Sequence, residues 1–217
     1  MRKFLLILEF GILTFTGMAM AGGLEDSNDL RLKTGDLLFR GDTTASGVSM
    51  AISDVTQTGN DDQFTHVGMV EMIDDEVNVI HADPVNGVCL EPLDSFLYDE
   101  NGKKLLVEAY RLKPEYQESI DEAIERARSV IGQPYNFSYI IEDDGYYCSE
   151  LIWWAFKEES VFSLQPMNFR DPQTGEFHHG WVEYYDELGI DIPQGDPGCN
   201  PNGMAASDNL YHLGAVE

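Results

Sequence analysis

The sequence predicts an α+β fold, and three features carry that prediction. Runs with the two-residue alternation of strands crowd the first half of the chain. The period changes to that of an amphipathic helix after Pro114, and a second, more apolar helix opens at Cys148. Strands followed by helices, without regular βα alternation, argue for an antiparallel sheet with helices packed on it.

The chain opens with Arg2 and Lys3, a mostly apolar stretch FLLILEFGILTF and then Ala19-Met20-Ala21. A positive start, a short apolar region and an A-x-A site define an export signal over 1–21, with cleavage after Ala21. The apolar run is too short to span a bilayer. No cysteine follows the cleavage site, so no lipid attachment is expected, and the mature protein should be secreted or periplasmic without a stable membrane anchor. About 195 residues remain, enough for one domain with a sizeable core, and no repeat or low-complexity joint divides 22–217.

TGDLLFR, residues 34–40, reads as a turn and a short strand, with Asp36 structural. Residues 43–59 place Val48, Met50, Ile52 and Val55 among Ser, Thr and Gly, as a short helix would. THVGMVEMI and VNVIHA are two strands separated by the acidic turn at Asp74-Asp75. LLVEAYRL, residues 105–112, is another strand. In EYQESIDEAIERARSVIG, Ile120, Ala123, Ile124, Ala127 and Ile131 recur at three and four, and Gly132 stops the helix. Leu151, Ile152, Ala155 and Phe156 share a helical face with Cys148. Residues 160–217, rich in Pro, Gly, Asn and aromatics, are expected to be largely irregular, with one short helix at WVEYYDELG.

Charge excludes some partners. The formal net charge is -26, and removal of 1–21 makes it one unit more negative. Such a field opposes nucleic acid and anionic lipid. It suits an amine-bearing substrate as well as plain solubility.

The acidic turn fixes a register with chemical consequences. If Asp74-Asp75 is a two-residue turn, Ile73 pairs with Glu76 and Gly68 lies opposite His81. His66 and His81 then become diagonal neighbours on one face, with the side-chain-free Gly68 leaving space between them. Two such histidines can be satisfied core residues, metal ligands, or a base and its orienter. A metal would need a third ligand from Asp83, Cys89 or His178-His179, and none of these stands at a strong zinc spacing.

Cys148 favours the base-and-orienter reading. Three cysteines, Cys89, Cys148 and Cys199, leave at least one thiol unpaired within an exported chain. A cysteine in the first turn of a helix sits at the positive end of the backbone dipoles, which with a neighbouring imidazolium favours the thiolate. The same helix start offers unpaired N–H groups to an oxyanion.

TGDLLFRG, THVGMV, VIHADPVNGVCLEPL, GQPYNFS and YYCSELIWWAF, in that order, resemble the circularly permuted papain-like amidases of the YaeF/YiiX type, relatives of the NlpC-type cell-wall peptidases. The resemblance runs from about residue 32 to 157, with a weaker echo in IPQGDPGCNPNGMAASDNL. It implies a permuted papain-like fold, an antiparallel sheet with the nucleophile at the N-terminus of a packed helix. Residue by residue, Cys148 matches the nucleophile, His66 the base and Tyr135 a site-lining tyrosine. His81 falls where many members carry an orienting carboxylate. The implied protein is a cysteine hydrolase that cleaves an amide, in a peptide or a cell-wall stem peptide, and needs no metal or other cofactor. Ester hydrolysis or lipid acyl transfer is the enzymatic alternative, and a non-catalytic, metal-binding surface module is the other.

Overall fold

The structure is a computed structural model, and it describes residues 30–41, 55–56 and 64–217. The expected export signal lies outside the described residues, as does the expected 43–59 helix apart from Val55 and Thr56.

Six antiparallel strands form the main sheet: β1 (Leu37–Gly41), β2 (His66–Ile73), β3 (Glu76–Asp83), β4 (Gly87–Pro92), β5 (Leu106–Leu112) and β8 (Leu210–Ala215). Their order is β4-β3-β2-β1-β5-β8. The turn between β2 and β3 is the two-residue one that the sequence implies, with Ile73 paired to Glu76. Asp74 and Asp75 adopt φ of 50° and 66°, the left-handed pair that matches the twist of a tight hairpin and that Asp tolerates. Asp36 is structural as expected, with its carboxylate accepting from Arg111 Nε at 2.7 Å and from the Lys33 N–H at 2.7 Å.

Two faces of this sheet are covered. On one, Phe39, Val67, Met69 and Ile80 pack against α2 (Ile120–Ser129) and α3 (Cys148–Ala155). On the other, Leu38, Val70, Val79 and Val107 pack against Phe96 and Leu97 of the short α1 (Leu93–Leu97). α2 buries Ile120, Ala123, Ile124 and Ala127, the face its periodicity marks, and is preceded by a 3-10 turn over Pro114–Ser119. Arg126 of α2 donates from Nε to the Ala155 carbonyl at the end of α3 and pairs with Glu159, both at 2.6 Å. A cation therefore satisfies a helix C-terminus there.

The expected helix at WVEYYDELG is present in the C-terminal quarter, with further short elements that the sequence does not mark. This quarter holds α4 (His179–Leu188), α5 (Pro201–Ala205), the small ribbon β6 (Gln165–Pro166) with β7 (Pro197–Gly198), and β8, which closes the sheet beside β5. β8 is cryptic in the sequence because LYHLGA does not alternate and its partner lies about a hundred residues earlier; the pairing also slips at Ala109/Tyr110. No described helix is long and apolar enough to cross a membrane.

Candidate active site

Cys148 is the first residue of α3, with Tyr147 as its extended N-cap. The approach is rigid, because a Cβ at Gly145, where φ is +93°, would run into the Pro134 carbonyl. Glu150 accepts from the Tyr147 N–H at 3.1 Å and from Asn136 at 3.1 Å, closing the start of the helix. Leu151 and Ile152 are fully buried, each worth roughly 1.5–3 kcal/mol in anchoring that start to the sheet.

The hairpin brings the histidines together as its register requires. His66 Nε2 and His81 Nδ1 are 2.8 Å apart, and the ring planes stand at 89°. Gly68 makes the space, for a Cβ there would meet Val79 at 2.5 Å, Phe96 at 3.1 Å and His81 at 3.2 Å. Phe96 lies against both imidazoles, and the Arg40 guanidinium stacks on Phe96 at 4.8 Å.

Beyond His81 the array continues to Cys89, which the sequence offers as a metal ligand, and to Glu91, which it does not mark. β4, not anticipated as a strand, sets Cys89 opposite His81. Its neighbour on the same face, Glu91, reaches His81 Nε2 at 3.0 Å, and Cys89 Sγ lies 3.4 Å from the same nitrogen. The available signal was the two-residue spacing of Cys89 and Glu91, hidden because Pro84, Asn86 and Gly87 make the segment read as loop. The carboxylate can only accept, so His81 carries its proton on Nε2. His81 Nδ1 then accepts from His66 Nε2–H, which leaves a lone pair on His66 Nδ1.

The other candidate ligands are committed elsewhere. Asp83 accepts from the N–H groups of Val85 and Asn86, His178 accepts from the Gly180 N–H, and His179 pairs with Glu183.

The thiol stands where β2 and β3 part company. Cα pairing between them stops at Met69 and Ile80, whereas β2 runs on to His66. There the backbone N–H groups of Val67, Ser149 and Cys148 itself favour the thiolate. No hydrogen bond joins it to the ring of His66, the residue next to Val67. One expectation is corrected here. Burial pushes the Cys148 thiol up to about 11, against the downward pull of those N–H groups and of Arg40. Burial, reinforced by Arg40 and His81, holds His66 well below its usual range. The resting pair is therefore neutral thiol and neutral imidazole, not the ion pair that a helix start alone suggests.

All three cysteines are free. Cys199 packs beside the helix start, where its N–H donates to the Tyr147 hydroxyl at 3.2 Å and its carbonyl accepts from Ser149 Oγ at 3.2 Å.

A cleft opens at Cys148, walled by Tyr135, Tyr139, Tyr147, Met167, Phe169 and Trp181. Tyr135 thus lines the cleft as the resemblance implies. Its hydroxyl is raised well above the ordinary range by burial first and then by the nearby Cys148. Trp181, from α4, was not anticipated. It is buried, and its indole Nε1–H has no hydrogen-bond partner among the described residues. Among the described residues, none that lines the cleft carries a charge.

A helix-start cysteine, a sheet-borne histidine pair and the permuted order, histidine before cysteine, define the class of papain-like hydrolases with circularly permuted chains. Residues 31–214 match the family of permuted papain-like amidase enzymes, YaeF/YiiX, C92, and the chain belongs to that family. It is 31% identical over 128 residues to the uncharacterized protein YiiX of Escherichia coli K12, a match covering 58% of this chain and 57% of that protein. The match thus spans little more than half the length of that curated relative. The fold is similar to the crystal structure of the metalloprotein YiiX from Escherichia coli O157:H7, with a TM-score of 0.65 and 22% identity over 83% of this chain and 95% of that one.

Proposed function

We propose that this chain is an exported cysteine hydrolase that cleaves an amide bond in a peptide, with Cys148 as nucleophile, His66 as general base and acid, and His81 as the residue that orients His66. The observation that carries the reading is the seat of Cys148: first residue of a buried helix, with the backbone N–H groups of Val67 and Ser149 favouring its thiolate, and with Val67 next along β2 to His66, whose Nε2 is already engaged.

The chemistry follows from the neutral resting pair. On substrate binding, His66 Nδ1 takes the thiol proton as Cys148 Sγ attacks the carbonyl, a contact that tightens in the complex rather than in the free enzyme. The Cys148 N–H, unpaired within the helix, helps to hold the oxyanion. The imidazolium then gives its proton to the departing amine, and water, activated by the same nitrogen, hydrolyses the thioester.

The aromatic cleft sets the expected acyl group. Tyr139, Phe169 and Trp181 favour an apolar or aromatic moiety beside the scissile carbonyl, and the buried Trp181 N–H, without a partner among the described residues, would suit a substrate carbonyl that reached it. The acidic chain as a whole supplies a long-range field that would favour an amine-bearing substrate. The same apolar walls favour a second reading, ester hydrolysis or acyl transfer.

Matched amides and esters, with apolar, neutral polar and cationic acyl moieties, test the reading. Turnover of apolar amides that vanishes in Cys148→Ala and His66→Ala supports it. Turnover of esters alone transfers the reading to acyl chemistry, and equal turnover in the variants refutes both.

A further inference from the structure

His81, Cys89 and Glu91 present one ligand atom each, all within 4.8 Å of one another. In a tetrahedral site with metal–nitrogen bonds of about 2.0–2.1 Å and metal–sulfur bonds of about 2.3 Å, ligand atoms stand about 3.3–3.6 Å apart. The observed separations from His81 Nε2, 3.4 Å to Cys89 Sγ and 3.0 Å to Glu91 Oε1, are already close to that. The third pair, Cys89 Sγ and the Glu91 carboxylate, lies within 4.8 Å.

The site is also accessible. β4 is the edge strand of the sheet, Cys89 is half-buried, and the Glu91 side chain is 23% exposed while that of His81 is 2% exposed. A cation can enter from solvent and keep a water as fourth ligand. Imidazole, thiolate and carboxylate together select a borderline-soft divalent transition metal of the zinc class over calcium or magnesium.

We propose that His81, Cys89 and Glu91 form an inhibitory site for such a metal, which competes with the hydrogen bond that orients the catalytic histidine. The inhibitory half rests on the amidase reading; the binding half does not. Coordination uses the lone pair of His81 Nε2, so the proton of that neutral ring moves to Nδ1. His81 then donates to His66 Nε2 instead of accepting from it, and the proton of neutral His66 is confined to Nδ1. That nitrogen can no longer take the proton of Cys148. Both rings stay neutral, and the single proton released to solvent is that of the Cys89 thiol. One rearrangement along two imidazoles thus converts metal occupancy into loss of the base.

Cobalt(II), titrated into the full chain carrying Cys148→Ala so that the catalytic thiol cannot ligate, tests the site without any substrate. The expected result is a one-to-one thiolate-to-cobalt charge-transfer band that Cys89→Ser abolishes and whose titration Glu91→Gln weakens at least tenfold. No band, or a band that survives Cys89→Ser, overturns the site. The switch is tested with zinc and the chain retaining Cys148, each variant being compared with itself in metal-free buffer. Zinc should lower hydrolysis at least tenfold, a chelator should restore it, and Cys89→Ser should lose the inhibition. Equal inhibition of Cys89→Ser overturns the switch and places the metal on Cys148 and His66 instead. A chain that shows the cobalt band but hydrolyses nothing overturns the amidase reading and with it the switch, while supporting the site.

Discussion

His66 Nε2 lies 2.8 Å from His81 Nδ1 with the rings at right angles, and this bond determines which nitrogen of His66 is left to work as a base. Replacing His66 by Ala should lower kcat/KM by at least about a thousandfold, because base and acid are lost together. His81→Asn can still accept from His66 Nε2–H, so it should cost only about ten- to a hundredfold. Steady-state kinetics on folded variants decide it, and a His81→Asn enzyme as inactive as His66→Ala would refute the assigned roles.

The thiol should behave as a buried neutral group. With its pKa pushed up to about 11, about one Cys148 in ten thousand is ionised at pH 7 in the free enzyme. Iodoacetamide labelling of Cys148, followed by peptide mass, should therefore rise steadily from pH 6 to pH 10. A plateau below pH 7 would mean a pre-formed thiolate–imidazolium pair and would contradict the burial argument.

Trp181→Phe keeps an aromatic wall and removes a buried N–H that has no partner among the described residues. If that N–H binds a substrate carbonyl, KM should rise about fivefold to tenfold with kcat little changed, the equivalent of one hydrogen bond of about 1–1.5 kcal/mol. Unchanged KM in a variant of normal melting temperature would remove Trp181 from substrate binding.

Glu150 closes the N-terminus of the cysteine helix, and burial raises its carboxyl from 4.5 to about 7, against hydrogen bonds from the Tyr147 N–H and Asn136. The folded state thus holds the proton more tightly than the unfolded one. Its contribution favours folding below pH 4.5 and is lost as pH rises to about 7, by at most about 3 kcal/mol. Denaturant unfolding of the wild type and Glu150→Gln across pH 4.5–7 should show the difference between them changing in that sense. A constant difference would refute it.

How much of this was legible in the sequence depended on whether short-range chemistry fixed the geometry. Asp74-Asp75 set the hairpin register, and parity alone then made His66 and His81 neighbours. Cys148 was legible as a helix start because Leu151, Ile152, Ala155 and Phe156 follow it on one face. β4 and β8 were not, since Pro84 and Gly87 disguise one and a remote, slipped partner defines the other. Without β4 there was no route to Glu91. The charge state of Cys148 is not legible in the sequence, because the helix dipole is local and visible, whereas desolvation depends on everything that packs around the thiol.

The central claim, that Cys148 forms the covalent intermediate, is tested most directly by intact mass after acid quench during turnover of activated apolar acyl amides and esters. The account predicts an adduct of the acyl mass that maps to Cys148 and is absent from Cys148→Ala. Turnover without any adduct, or an adduct that maps to Cys89 or Cys199, would contradict it.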